Sequence, residues 1–260
     1  MRAARSPQRI VCLTEESTEI LYGLGEQGRI VGISAYTVRP SEARENHPVV
    51  SAFTGGSVDK IRALEPDLCI GFSDIQGQLA KELIEAGLTV LVFNQRSIEE
   101  ILDVVLQLGQ LVGAADRAQK WVEELQGRVR EVAARPRRIR PRVYFEEWDD
   151  PQICGIRWVS ELIEVCGGED VFAERARSGA MAGGRTVTPG EVVEAAPDVV
   201  LASWCGKPFD RTAFTARPGF ADLPAVRQNR VHEVDPAIIL QPGPAALTAG
   251  LDQLAALMAD

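Results

Sequence analysis

The chain has 260 residues, of which 45% are hydrophobic and 25% charged, with a formal net charge of −9. That balance suits one large or two medium globular domains and argues against a nucleic-acid binder, which needs a basic face. No apolar run reaches the roughly 20 residues of a membrane span, and the five cysteines are scattered and odd in number, unlike a disulfide framework.

From the start, residues 1–9 are polar and read as no export signal, so a cytoplasmic location is expected, or a periplasmic one if the start is truncated. Residues 9–13 read as a buried strand, with Thr14 as N-cap of a helix to about Leu24 and Glu15 and Glu16 in its first turn. Residues 29–34 are a second strand, and 36–54 read as a loop carrying Pro40 and Pro48. A helix over about 76–86, a strand over 88–93 and a helix after Ser97 follow. Ala118, Trp121, Val122, Leu125, Val129 and Val132 then recur at helical spacing, which predicts one long helix. The second half opens with a strand at 141–145 and the acidic run Glu146, Glu147, Trp148, Asp149, Asp150. A helix stops at Gly167 and Gly168, and Thr188, Pro189 and Glu191 have the capping-box pattern. Strands at 198–202 and 230–234 and a terminal helix complete the chain.

One pattern occurs twice, half the chain apart: a helix-like stretch, Pro-Asp, an apolar strand and an aromatic. The copies run through Pro66 and Asp67 to Phe72, and through Pro197 and Asp198 to Trp204. Alternating strands and helices imply parallel pairing with helical crossovers. The expected fold is therefore α/β, with two Rossmann-like lobes of mostly parallel sheet joined by a long helix. The expected division is an N-terminal lobe over 1–113, a connecting helix over 114–135 and a C-terminal lobe over 136–260.

The runs at residues 9–20, 30–34 and 61–70, with 162–172 (Leu-Ile-Glu-Val-Cys-Gly-Gly-Glu-Asp-Val-Phe) and 195–201, resemble the helical-backbone class of ABC-importer substrate-binding proteins, nearest its vitamin B12-binding members. The resemblance covers almost the whole chain. It implies a non-enzymatic protein that captures a corrinoid in a cleft between the lobes, through loops at the carboxyl ends of strands. Carried onto this sequence, the ligand-binding residues are Thr14, Glu15, Glu16, Tyr36, Phe53, Thr54, Phe72, Ser73, Asp74, Gln95 and Arg96 in the first half. In the second they are Glu146, Glu147, Trp148, Asp149, Trp204, Cys205, Lys207, Gln241 and Pro242. Phe72, Trp148 and Trp204 would stack on a planar macrocycle, whereas Trp121 and Trp158 sit on helix-like stretches and read as packing.

No resident cofactor or metal is expected, cobalamin being the ligand. Two histidines, His47 and His232, are too few for a zinc or manganese receptor. A ferric siderophore or haem is the first alternative ligand. An enzyme is the other alternative, using Cys205 beside Lys207, or the Glu146/Glu147 pair. The expected protein is a monomer with a small-molecule ligand. Neither the stretch after Phe72 nor that after Trp204 offers a convincing importer-docking glutamate, so an ABC permease partner is the weaker expectation. The sequence shows no sign of nucleic-acid binding or membrane insertion.

Overall fold

In the computed structural model residues 6–52, 54–136, 138–179 and 181–258 are described. The chain divides into two compact units, Met1–Gln95 with Glu99–Glu124, and Arg96–Ile98 with Leu125–Asp260.

In the first unit the apolar run Ile10–Cys12 forms β1, buried along its length, as expected of a strand covered on both faces. It is followed by α1 (Glu15–Gly23), β2 (Ile30–Ser34), α2 (Ala43–Asn46), β3 (Val49–Ser51), α3 (Val58–Ala63), β4 (Leu68–Phe72), α4 (Gly77–Glu85), β5 (Val90–Phe93), α5 (Ile98–Leu111), whose first residue is assigned to the second unit, and α6 (Ala115–Ala133), which belongs to the first unit as far as Glu124 and to the second from Leu125. The strands form one sheet in the order β3-β2-β1-β4-β5, every pairing parallel. The stretch read as loop over 36–54 holds both α2 and β3. With only three residues, β3 is too short to show a period, and its strand form comes from pairing Val49 and Ser51 with Ile33 and Ser34 of β2.

Helix α6 packs by its tryptophan. A Cβ placed on Gly23 would lie 2.2 Å from the Trp121 ring, so α1 must carry glycine where the indole meets it. Gly23→Ala is expected to cost about 1–3 kcal/mol by overpacking. Urea denaturation would show it, and the loss should shrink in a Trp121→Leu background.

The second unit contains β6 (Arg142–Asp149), β7 (Gln152–Cys154), α7 (Arg157–Val165), β8 (Glu169–Asp170), α8 (Ala173–Ser178), α9 (Pro189–Ala195), β9 (Val199–Ala202), α10 (Arg211–Thr215), α11 (Pro224–Arg227), β10 (Val231–Glu233) and α12 (Pro236–Ile239). A π-helical turn over Ala246–Gly250 leads into α13 (Leu251–Met258). The sheet runs β10-β9-β6-β7, with β8 pairing the start of β6, and only β7 is antiparallel. The capping box at Thr188 and Glu191 is complete, each side chain bonding the other's backbone N–H. Trp158 is buried in α7 and donates to the Ile239 carbonyl at 2.8 Å.

The duplicated Pro-Asp has one job in both units. Glu65 and Ala196, each just before the proline, adopt left-handed φ of 47° and 43° and so end the helix before the ring. The aspartate then clasps the neighbouring strand. Asp67 accepts from the Gln8 and Arg9 amides at 2.7 and 3.0 Å, at the entry to β1. Asp198 accepts from the Arg142 amide at 2.9 Å, at the entry to β6. The same motif thus sets the parallel register of β4 on β1 and of β9 on β6.

Candidate functional site

In each unit the residues singled out from sequence cluster after the carboxyl ends of strands, where open α/β sheets bind ligands. In the first unit Thr14, Glu15 and Glu16 follow β1, Tyr36 follows β2, Thr54 follows β3, Ser73 and Asp74 follow β4, and Gln95 follows β5. Phe53 lies outside the described residues. The sheet order reverses between β1 and β4, which makes Thr14–Glu16 and Phe72–Asp74 the switch-point residues.

Local chemistry explains how these ends are held. Gln76, missed from sequence, is buried and joins the two strands: its Oε1 accepts from the Phe72 amide and its Nε2 donates to the Leu13 carbonyl, both at 3.0 Å. Ser73 takes a φ of 55°, a strained value for a non-glycine of the kind that collects at ligand loops, and its hydroxyl caps the next turn at the Ile75 amide. Thr14 stands at the N-cap of α1, yet its hydroxyl donates to Glu16 Oε1 at 2.6 Å and caps no helical amide. Glu15 accepts from the Val38 amide at 3.2 Å. Burial pushes the carboxyl of Glu15 up to about 8 and that of Glu16 up to about 7, with Glu19 close by adding to the rise. Glu16 Oε2 is buried without a hydrogen-bond partner among the described residues. Tyr36 is 44% exposed, whereas Phe72 is 7% exposed and offers little face for stacking.

In the second unit Glu146, Glu147, Trp148 and Asp149 form the end of β6, and Trp204, Cys205 and Lys207 follow β9. Gln241 is half-buried and Pro242 buried, just after α12, and Arg96 precedes α5.

Glu146 was expected to meet the ligand, and the structure places it inside the protein. It is fully buried and accepts from Tyr144 Oη at 3.0 Å, Gln152 Nε2 at 3.2 Å, Trp204 Nε1 at 3.0 Å and both Arg217 Nη atoms at 2.6 and 3.1 Å. Its lone pairs are taken by the protein itself. Trp204, expected to stack on a ligand, is buried beside it: the indole is 2% exposed, pinned by that bond and packed edge-to-face on Phe209 at 4.9 Å. The aromatic series continues through Phe214 and Phe220, and the Arg217 guanidinium lies over both of those rings.

Glu147 is likewise engaged, by Arg185, whose Nη atoms reach it at 2.5 and 3.0 Å while Nη1 also donates to the Cys154 carbonyl. The two carboxylates of the alternative enzyme reading are thus both tied into ion pairs. Cys205 does not fit that reading either. Burial, with Glu147 adding to it, pushes its thiol up, where a nucleophilic cysteine needs a lowered value.

What remains presented is Trp148, Asp149 and Lys207. Trp148 is half-buried, fixed by its Nε1 donating to the Asp150 carbonyl at 2.9 Å. Lys207 Nζ donates to Asp149 Oδ1 at 2.7 Å. Burial acts upward on Asp149, but this bond, a backbone hydrogen bond and the charges of Lys207 and Arg217 together hold the carboxyl below its ordinary value.

Gln76, Arg185 and Arg217 are the residues that sequence reasoning missed. For Arg217 a signal existed on the other side. Tyr144 and Glu146 share one face of an apolar strand, and an acid placed there demands a cationic partner.

Two mostly parallel sheets with polar residues at their strand ends make an α/β fold of the type that binds ligands at those ends. The solved structure of a periplasmic haem-binding protein from Pseudomonas aeruginosa superposes with a TM-score of 0.81 at 22% identity, over 97% of this chain and 92% of that one, which establishes the shared fold. The chain belongs to the periplasmic binding protein family, whose pattern matches residues 10–238. Among its relatives, a vitamin B12-binding protein of Vibrio parahaemolyticus is 28% identical over 93% of this chain and 86% of its own. An uncharacterised ABC transporter substrate-binding lipoprotein of Bacillus subtilis, YvrC, is 26% identical over 96% of this chain and 80% of its own. These relatives carry periplasmic or lipoprotein names or bind vitamin B12, so the cytoplasmic expectation finds no support among them. Among the described residues no helix is long and apolar enough to cross a membrane.

Proposed function

We propose that this chain captures a planar metal macrocycle, in first place a corrinoid, for import through an ABC-type permease. The observation that carries the reading is Trp148, an indole fixed at the end of β6 with Asp149 beside it as an acceptor for amide N–H groups on a ligand's rim. The likeness to a vitamin B12-binding protein along most of both chains supports the corrinoid, and the name of the Bacillus relative supports the permease partner. The permease partner in turn implies a location outside the cytoplasm.

A ferric haem is the second reading, favoured by Tyr36, whose exposed phenol at the end of β2 is of the type that ligates ferric iron.

Titration with cyanocobalamin, followed by tryptophan quenching, is expected to give a saturable isotherm. Trp148→Ala should weaken it at least about tenfold, roughly 1.4 kcal/mol. No signal from wild-type protein at millimolar ligand would sink the corrinoid. A parallel haemin titration that saturates and is abolished by Tyr36→Phe would establish the second reading instead.

A further inference from the structure

One side chain stands where that reading needs an open surface. The Lys207 ammonium lies 4.5 Å from the ring centroid of Trp148 and 4.8 Å from that of Trp204, with Asp149 Oδ1 at 2.7 Å. Two indoles and a carboxylate are the parts from which proteins build cages for amines. Here the cage is filled by the protein's own lysine.

The parts of the cage differ in freedom. Trp204 is buried and held by Glu146, and Trp148 is held by the Asp150 carbonyl. Lys207 is exposed and sits just past Gly206, which takes a φ of 82° in the turn after β9. A lysine stem carries four rotatable bonds, and its ammonium is readily hydrated once released. The movable member is therefore the lysine.

We propose that Lys207 is a latch over Trp148: its ammonium covers the indole and must swing away before a planar ligand can stack. Release does two things at once. It bares an aromatic face, and it frees Asp149 to accept from donor groups on the ligand. The latch thereby selects a ligand that brings both a flat apolar face and hydrogen-bond donors at its edge, such as side-chain amides. A ligand with neither leaves the lysine in place. The stacking role of Trp148 comes from the function proposed above, so the latch rests on that reading.

Lys207→Ala removes the stem and the charge, so that no side chain at this position covers the indole. In the empty protein the variant should show greater acrylamide quenching of tryptophan fluorescence than wild type, because neutral acrylamide then reaches the Trp148 ring. Trp148→Phe in the same background should abolish the increase, which assigns it to that indole. Cyanocobalamin should bind Lys207→Ala roughly threefold to fivefold more tightly, the range expected for a partly exposed cation–π contact that no longer has to be broken. Asp149→Asn, which loosens the lysine from the other side, should raise quenching in the same direction. Unchanged quenching in Lys207→Ala overturns the latch whatever the ligand is. Increased quenching with equal or weaker cobalamin binding also overturns it, because the lysine then does not oppose stacking. Increased quenching with no cobalamin binding by either protein refutes the corrinoid and leaves the latch standing over Trp148.

Discussion

Glu146→Ala is expected to destabilise the second unit by about 3–5 kcal/mol, the usual loss when one partner of a buried ion pair is removed. The carboxylate accepts five hydrogen bonds from four side chains, and the Arg217 guanidinium that pairs with it is itself largely enclosed. Without Glu146, Arg217 would lose its ion-pair partner, and the N–H of Trp204 and the hydroxyl of Tyr144 would lose their acceptor. Urea denaturation followed by circular dichroism would measure the loss. Arg217→Met added to Glu146→Ala should restore part of it, because the stranded charge is gone and a thioether suits the faces of Phe214 and Phe220. If the double variant is as unstable as the sum of the singles, the ion pair is not what holds this region.

The second large effect is on pH dependence, and it belongs to the first unit. Burial raises the folded-state values of Glu15 and Glu16 from an ordinary 4.5 to about 8 and about 7. An acid whose value is raised on folding keeps its proton in the native state where the unfolded chain has released it. Stability from these two groups is therefore full below about pH 4.5, falls as pH rises through the window to about 8, and is level above it. Each tenfold difference in proton affinity between the folded and unfolded chain is worth about 1.4 kcal/mol, so the pair should remove on the order of 3 kcal/mol or more across that window. Denaturation at about pH 5 and pH 8 would show the fall, and the Glu15→Gln, Glu16→Gln double variant should flatten it. An unaltered slope in that variant would mean that the two carboxyls stay ionised in the fold.

The extent to which this could be read from sequence follows from the range over which each signal acts. The continuous apolar runs of β1, β4 and β9, the long periodic α6 and the capping box of α9 are local patterns, and the structure has them where the sequence predicts. The Pro-Asp copies pointed to two related units, though the reason for the aspartate, a clasp on the start of the adjacent strand, joins residues more than fifty positions apart and carries no local mark. The same limit applies to the strand ends. Trp148, Trp204 and Lys207 stand out by position, but only tertiary contacts separate a buried, bonded Trp204 from a presented Trp148. Glu146 looks like one of several loop acids because its partner Arg217 lies in a turn whose sequence shows no periodicity. The strands β3 and β7 leave no trace in the sequence because three residues show no alternation to detect.

The edge of β6 has a further consequence. Its ladder with β7 is interrupted between Glu146 and Trp148, so that Glu147 is the extra residue of a bulge. Arg185 binds the Glu147 carboxylate and, across the ladder, the carbonyl of Cys154, tying both strands at the irregular point. A strand reverses every side chain when its register slips by one residue. Adding or losing one residue here would turn Glu146 out of its network or Trp148 into it. Most surface loops tolerate a change of length, but at this strand edge one residue more or less would break the buried network. If Trp148 and Asp149 hold the ligand as proposed, its chemistry can be varied by exchanging side chains at 148, 149 and 207 without a change in the length of β6.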